Sequence, residues 1–315
     1  MYIFIIIDKF ILIMNVKLKV LTIFISALIL ISCSKNKPES EIHTKDSKEK
    51  KTKEKTPDND SASNLSRYDL SSENPKILTL PPELKEISGM TMTPDGRLYA
   101  EQDESGIIYQ VDPGNGEIVK KFYLGKPPVK KDFEDIAYAN DKFYLLHSKG
   151  EIYECSEGSD GETVVFKIYK TELNGKNDIE GMCYDKETNS LLLACKGDPG
   201  IENDENDKAV YSFSLDNMTF DPKPRFILKR SEIKSYFNPS GIQRDPLTGT
   251  FFIIAANGNE IIEISKVGNL MGKHGLPKKI HVQPEGIAFS SDGTLFISNE
   301  GKSGSGTIVV YPLKK

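Results

Sequence analysis

The sequence predicts an all-β protein, a five-bladed β-propeller built from four-stranded antiparallel blades. First, a four-residue phrase occurs five times, and its fourth positions are residues 89, 135, 181, 241 and 286. Second, the gaps between these positions are 46, 46, 60 and 45 residues, and a period near 45 is typical of propeller blades. Third, each period contains short apolar runs between turn residues, which is the pattern of β-strands.

The first position of the phrase is an acid or an amide, and the third is Ser or Glu. The fourth position is Gly, except in one copy, where it is Asp. The copies of the phrase are residues 86–89, 132–135, 178–181, 238–241 and 283–286. Each copy leads into an apolar strand, and a turn, a second strand, a third strand and an outer strand follow. Four antiparallel strands in one period are the unit of a propeller.

The last blade is predicted to be completed by the N-terminal strand. Residues after 286 supply too few strands for a blade, and an unassigned apolar run, residues 76–80, precedes the first phrase. Pairing the two ends would hide sheet edges. The alternative is a six-bladed ring with an extra partial blade in the 60-residue gap. The surplus there is hydrophilic, residues 198–208, which favours five blades.

The N-terminus has the pattern of a targeting segment. Lys17 and Lys19 precede an apolar run, residues 21–31, that is short for a membrane-spanning helix. It ends in Leu30-Ile31-Ser32-Cys33, which resembles the bacterial lipobox, where the cysteine is acylated. We therefore expect residues 1–32 to be a lipoprotein signal peptide, with Met14 as an alternative start. An uncleaved membrane helix is the other interpretation.

The predicted anchor at Cys33 places the protein in the bacterial cell envelope, attached to a membrane. Ser34 rather than Asp follows the cysteine, which favours the outer membrane. Residues 33–72 are rich in Lys and Glu and poor in aromatic residues, so we expect a disordered tether. The propeller would then comprise residues 73–315.

Composition excludes some functional classes. The net charge is −5 and the pI is about 5.6, so no nucleic-acid partner is expected. The four cysteines show no CxxC spacing, and Cys155, Cys183 and Cys195 lie in apolar strands, where we expect buried thiols. No nucleophile elbow, P-loop or dinucleotide fingerprint is present.

The phrases should meet at one mouth of the central channel, because the innermost strand of each blade lines it. Their third positions would form one ring and their first positions an adjacent ring, and six of these ten side chains are carboxylic acids. Crowded carboxylates are costly unless neutralised, and oxygen-only ligands favour Ca²⁺. We therefore expect a calcium site with these ligands: Glu86, Glu134, Asp178, Glu180 and Glu285. In the alternative interpretation these acids cap backbone N–H groups and are structural.

A second tier of side chains follows the second strand of each blade and should face the same mouth. These residues differ from blade to blade, as a ligand site requires. The predicted ligand-binding residues are Asp103, His147, Lys196, Asn257, Asn299 and Glu300. His147 could act as a general base, and Lys196 could pair with the carboxylates. No residue is assigned as catalytic.

The phrases and the residues that follow them, 132–137, 238–242 and 283–288, resemble those of the SdiA-regulated domain family. The stretch Lys196-Gly197-Asp198-Pro199 fits the family too, and the likeness covers the chain after residue 74. The resemblance implies a bacterial envelope propeller, related to the NHL and phytase-like propellers, with a calcium site. It implies no reaction. The chain departs from the pattern at Ser88 and Ser240, where other copies carry Glu.

Three functions are consistent with the sequence. We expect a monomeric, lipid-anchored binding module whose channel mouth holds Ca²⁺ and binds a ligand or an envelope protein. The first alternative is a metal-dependent hydrolase, lactonase-like or phosphoesterase-like, that uses the same mouth. That alternative depends on analogy between folds. The second is a scaffold that binds proteins through its blade edges and loops.

Overall fold

The structure is a computed structural model that describes residues 62–200, 206–234 and 236–314. Within these residues the strands form five separate sheets and no α-helix is present. Two short 3₁₀ helices, Asn64–Arg67 and Pro82–Leu84, precede the first complete sheet. The predicted five-bladed, all-β fold is therefore confirmed, and the six-bladed alternative is wrong.

The strands follow the predicted order. After β1 (Lys76–Thr79), the first blade consists of β2 (Ile87–Met92), β3 (Leu98–Gln102), β4 (Ser105–Val111) and β5 (Ile118–Leu124). The second contains β6 (Phe133–Ala139), β7 (Lys142–His147), β8 (Glu151–Cys155) and, after the short β9 (Thr163–Val164), the outer strand β10 (Phe166–Lys170). Strand β9 instead pairs in parallel with β5 of the first blade.

The third blade consists of β11 (Ile179–Asp185), β12 (Ser190–Cys195), β13 (Lys208–Ser214) and β14 (Thr219–Leu228). The fourth consists of β15 (Gly241–Arg244), β16 (Phe251–Ala255), β17 (Glu260–Ile264) and β18 (Leu270–Gly275). The fifth contains β19 (Pro284–Phe289), β20 (Leu295–Asn299) and β21 (Thr307–Tyr311), with β1 as its outer strand. In that sheet β1 and β21 are antiparallel.

The innermost strands β2, β6, β11, β15 and β19 contact one another in a closed ring. The glycines of the phrase permit this approach. A Cβ on Gly89 would lie 2.4 Å from the Cα of Asp135, and one on Gly241 would lie 2.5 Å from the carbonyl oxygen of Glu285. The repeated glycine is thus a packing requirement between neighbouring blades.

Asp135 occupies the one phrase position that lacks glycine. Its carboxylate accepts hydrogen bonds from the backbone N–H groups of Ile136 (2.8 Å) and Met182 (2.7 Å), and so joins the second blade to the third. Burial raises the pKa of Asp135 well above its usual value, although these bonds lower it. This acid at the fourth position of the phrase is therefore structural, because it binds backbone N–H groups of two blades.

The apolar core lies between the blades, in five clusters that each combine residues of neighbouring sheets. The three described cysteines, Cys155, Cys183 and Cys195, are buried free thiols within these clusters, as predicted. Burial raises the pKa of each thiol. They are therefore packing residues.

The packed part of the chain begins earlier than residue 73. Leu65, Tyr68 and Leu70 are buried against the fourth and fifth blades. The Tyr68 hydroxyl donates to the carbonyl of Gly293 at 2.8 Å. The last part of the predicted tether is therefore ordered, because its three apolar side chains have a surface to cover. The predicted signal peptide, Cys33 and the rest of the tether lie outside the described residues.

Candidate ligand site at the channel mouth

Three glutamates of the phrase lie together at the start of inner strands. Glu134 is in β6, Glu180 in β11 and Glu285 in β19, and the charges of Glu134 and Glu285 each interact with that of Glu180. A β-bulge interrupts the pairing of each of these strands at the phrase. Such bulges reorient side chains at the end of a strand. The predicted third-position ring is therefore a cluster of three acids from three blades.

The pKa values of the three carboxyl groups in this cluster are raised above the usual value for glutamate. Burial, with repulsion by Glu180, raises the pKa of Glu134 to about 10. The same two causes raise the pKa of Glu285 to about 8. Burial raises the pKa of Glu180 to about 7, even though Lys196 opposes it. The cluster therefore binds protons near neutral pH, because burial, and then repulsion between the carboxylates, disfavours its charged form.

Lys196 supplies the compensating charge that the cluster does have. Its ammonium forms an ion pair and a hydrogen bond with the Glu180 carboxylate, and its charge also acts on Glu134 and Glu285. Burial lowers the pKa of Lys196, but attraction by Glu180 outweighs it and the net shift is upward. The ammonium thus lies where a bound cation would be attracted.

Gln283 and Glu300 extend the cluster in the fifth blade. The Gln283 amide donates to Glu285 Oε1 at 2.7 Å and also to the Glu300 carboxylate. This amide therefore holds one second-tier acid and one ring acid together. Gln283 was assigned no ligand role from the sequence, but its position between two acids makes it a positioning residue.

A second acidic group lies in the first blade. The carboxylates of Glu86, Glu300 and Asp132 act on Asp103, and burial together with these charges raises the pKa of Asp103 to about 6. One Asp103 oxygen, Oδ1, is buried without a hydrogen-bond partner among the described residues. Asp103, Glu86 and Glu300 were predicted site residues, and the structure brings them together.

Glu101 belongs to this region and was missed by the sequence analysis. It is fully buried in β3, where one carboxylate oxygen accepts the Gly89 N–H at 2.7 Å and the other has no partner among the described residues. Burial, with charge from Asp103 and Asp132, raises its pKa to about 8. The available signal was a charged residue directly after the apolar run Leu98-Tyr99-Ala100.

The two serine copies of the phrase have structural positions. Ser240 donates to the carbonyl of Pro284 at 2.7 Å and accepts the Ala256 N–H at 3.1 Å, so it joins the fourth blade to the fifth. Ser88 is buried at 8% exposure. The acidic cluster is therefore asymmetric, and the fourth blade contributes no carboxylate to it.

His147 lies at the end of β7, opposite Phe133 of β6. Its Nδ1 lies 3.4 Å from Glu151 Oε2, and with Lys131, Lys149 and Asp132, a first-position acid of the phrase, it lines a cavity of about 480 Å³. Burial and the nearby Lys131 lower the pKa of His147, so the imidazole is neutral at physiological pH. The predicted general-base role of His147 stays a prediction.

Three other predicted residues differ in accessibility. Asn257 is exposed, and its backbone forms an isolated bridge with Asn238. Asn299 is only 1% exposed and lies near His281 in the fifth blade, so a ligand in solvent does not reach it. Asp178 is half-buried with a φ of 48°, and its carbonyl accepts the Lys196 N–H at 2.8 Å.

The donor atoms of the mouth suit a hard cation, but the side chains that carry them lie too far apart to bind one as placed. The donors are carboxylate oxygens, which are the ligands that Ca²⁺ prefers. Two of them, Glu101 Oε2 and Asp103 Oδ1, are buried and have no hydrogen-bond partner among the described residues. Within the described residues, no three acidic, histidine or cysteine side chains lie close enough to hold a metal ion as placed. A bound cation would therefore have to draw the carboxylates inward.

Comparison with known structures supports the fold. The glutaminyl cyclase of Myxococcus xanthus matches with a TM-score of 0.51 and 12% identity, over 76% of this chain and 96% of that chain. A virginiamycin B lyase from Staphylococcus aureus matches at 0.46 and 14% identity, over 76% and 89% of the chains. The PQQ-bound aldose sugar dehydrogenase of Streptomyces coelicolor matches at 0.46 and 12%, over 77% and 99%. The match to the glutaminyl cyclase, at 12% identity, shows the fold alone, and the two matches with a TM-score of 0.46 add nothing to that conclusion.

Sequence comparison identifies the family. A search of curated proteins finds no match. In the structure itself, no helix in the described part of the chain is both long and apolar enough to cross a membrane. The model of the SdiA-regulated family matches residues 61–303, which include every described strand except β21 and all of the acidic side chains described above. The chain is therefore a member of the SdiA-regulated family.

Proposed function

We propose that this protein is a lipid-anchored binding module of the bacterial cell envelope whose acidic channel mouth binds Ca²⁺. The mouth would present the bound ion, with Asp103, Glu300 and Lys196 around it, to a ligand or an envelope protein. The observation that carries the proposal is that Glu134, Glu180 and Glu285 come from three different inner strands and interact with one another beside a single ammonium, that of Lys196. Glu180 is buried and Glu134 and Glu285 are half-buried, and the single ammonium of Lys196 neutralises only part of their combined negative charge.

Protons and Ca²⁺ would compete for the same oxygens. Because Glu134 and Glu285 have pKa values of about 10 and 8, both carry protons at pH 7, and a cation must displace them. We expect the affinity for Ca²⁺ to rise between pH 7 and pH 9. Calorimetric titration of the chelator-treated full-length protein in buffers of different ionisation enthalpy would measure both affinity and proton release.

The variants Glu134→Gln and Glu285→Gln test whether the ring binds the ion. Each should weaken Ca²⁺ binding, because a neutral amide replaces a carboxylate ligand, while exposed Glu117→Gln should leave it unchanged. Absence of saturable binding up to about 1 mM Ca²⁺, the weak end of extracellular calcium modules, would refute the proposal. So would binding that both ring variants retain in full.

Lys196 provides a test in the opposite direction. Lys196→Met removes the ammonium that neutralises Glu180, so it should tighten Ca²⁺ binding by roughly fivefold to tenfold, the effect of one nearby like charge. Lys167→Met, on the outer strand β10, is the control. Unchanged affinity in Lys196→Met would place the ion away from the three ring glutamates.

The anchor and the hydrolase alternative have separate tests. Incorporation of labelled palmitate should be lost in Cys33→Ala, and labelling that survives this change would refute the lipid anchor. The hydrolase alternative predicts turnover of lactones or phosphoesters that requires a divalent cation and is lost in Glu134→Gln. Binding of Ca²⁺ without turnover would favour the binding module.

A further inference from the structure

A second pocket lies at the other end of the inner strands. These strands begin at the phrase, and their last residues line a cavity of about 370 Å³. The distance from Glu134 to Tyr138 is four residues of β6, about 13 Å of extended chain. The pocket is therefore separate from the acidic mouth, and none of the acids of the mouth lines it.

The walls of this pocket come from one equivalent position in every blade. The residue three places after the fourth position of the phrase lines the cavity in all five cases, and these residues are Met92, Tyr138, Tyr184, Arg244 and Phe289. If this position served only to close the ring, we would expect similar residues in all five blades. Four large apolar or aromatic side chains and one guanidinium instead form an asymmetric, mostly apolar lining.

The two tyrosines are held in place by their hydroxyl groups. The Tyr138 hydroxyl donates to Asp141 at 3.1 Å, and the Tyr184 hydroxyl donates to Asn189 at 2.9 Å. Tyr138 also packs against Phe143, with ring centroids 5.0 Å apart. Both rings remain half-exposed, so each presents an oriented aromatic surface on which a flat molecule can stack.

The charges around the pocket favour one negative group on the occupant. Arg244 is already paired with Asp185 and Glu187, and the Asp141 carboxylate accepts from Tyr138. Lys186 lines the cavity, is exposed, and makes no ion pair or hydrogen bond with the described residues. Its ammonium is therefore available to a ligand. Arg244 is neutralised by two carboxylates, whereas the Asp141 carboxylate accepts only from the neutral Tyr138 hydroxyl.

We infer that this pocket binds a planar aromatic molecule that carries a single negative charge. The tyrosines would cover the faces of the ring, Met92 would fill the remaining apolar wall, and Lys186 would pair with the anionic group. A cavity of this volume lies at the lower end of the range for small-molecule sites. The inference is independent of Ca²⁺ at the acidic mouth.

The absence of tryptophan from the chain permits a direct test. Ser291→Trp would place a single fluorophore on the exposed rim of the pocket, and Asn257→Trp would place one near the acidic mouth. The probe is 4-nitrobenzoate, a planar aromatic monoanion whose nitro group quenches tryptophan on contact. Titration of the full-length protein should quench Ser291→Trp saturably and should quench Asn257→Trp only in proportion to concentration.

Variants in the Ser291→Trp background locate the site. Tyr184→Ala should weaken binding of 4-nitrobenzoate by roughly tenfold, since it removes one stacking face. Tyr138→Phe, which keeps the ring, and Tyr123→Ala, on the outer strand β5, should retain it. Thermal unfolding of each variant would show that it remains folded.

Charge selectivity completes the test. Lys186→Gln should weaken 4-nitrobenzoate by about twofold to fivefold, as for an exposed ion pair, and the cation 4-nitrobenzylamine should bind more weakly than the anion. Quenching that does not saturate, or that Tyr184→Ala leaves unchanged, would overturn the inference. Equal or tighter binding of the cation would do the same.

Discussion

At the scale of single residues, burial decides the ionisation of the acids at the channel mouth. Glu134 and Glu101 are both shifted by desolvation first and by neighbouring carboxylates second. Glu180 is shifted less because Lys196 is paired with it. The same residue type therefore has three different proton affinities within one site, according to depth and partner.

Glu134→Gln should change the pH dependence of stability. In the folded state its pKa is raised from 4.5 to about 10, so between these values the folded protein holds a proton that the unfolded chain releases. Stability therefore falls as pH rises through this range, and the loss is complete above the folded pKa. In chelator, Glu134→Gln should lose less stability than the parent protein between pH 6 and pH 9.

Urea unfolding at the two pH values would measure this difference. Exposed Glu172→Gln is the matched control and should follow the parent protein. An identical fall in the free energy of unfolding for Glu134→Gln and the parent would contradict the shifted pKa.

At the scale of elements, the inner strands combine a packing role with a chemical role. At the fourth position of the phrase the backbone approaches the neighbouring strand so closely that glycine is required, as at Gly89 and Gly241. The position directly before it carries the site acids Glu134, Glu180 and Glu285. Asp135 and Ser240 join neighbouring blades by hydrogen bonds at this level. A site built on such rigid elements keeps its acids crowded, because the strands cannot separate to relieve repulsion.

Gly241→Ala should destabilise the propeller by about 1–3 kcal/mol, the usual effect of overpacking. Its Cβ would lie 2.5 Å from the carbonyl oxygen of Glu285, which belongs to the neighbouring inner strand and cannot rotate away. Gly275→Ala is the control, because a Cβ there meets nothing within 4 Å. Denaturant unfolding should show a change below about 0.5 kcal/mol for the control. Equal effects of the two changes would contradict the close-approach argument.

At the scale of the whole molecule, the N-terminal part of the described chain and its C-terminal strand share the fifth blade. Strand β1 pairs with β21 from Lys76 opposite Val310 to Thr79 opposite Thr307. Residues before β1 also pack on the fourth and fifth blades. The two mouths of the channel differ in character, since one is acidic and the other is apolar and aromatic.

Tyr68→Ala should lower the free energy of unfolding by about 3–5 kcal/mol, as expected for removing a buried aromatic side chain. Tyr68 is 2% exposed and packs against Phe252 and Phe289 of two blades. Tyr68→Phe loses only the hydrogen bond to Gly293 and should cost about 1 kcal/mol. Thermal or urea unfolding would measure both. A negligible effect of Tyr68→Ala would mean that residues 63–70 do not stabilise the propeller.

The sequence by itself determined the number of blades and the positions of the inner strands. These are properties of spacing along the chain, and the structure confirms the five blades that the period predicts. Sequence also identified Glu134, Glu180 and Glu285 as neighbours, because equivalent positions of a ring must meet.

Only the tertiary structure decided which other side chains join them. The direction of a side chain in a strand is inferred from strict alternation, and the β-bulges at the phrase interrupt that alternation. The sequence therefore could not show that Glu101 and Asp103 join the acidic region, or that Asn299 is buried. Contacts between blades also join residues that lie far apart in the chain. The pocket between Tyr138, Tyr184 and Phe289 exists only where five strand ends converge, and no local pattern predicts that convergence.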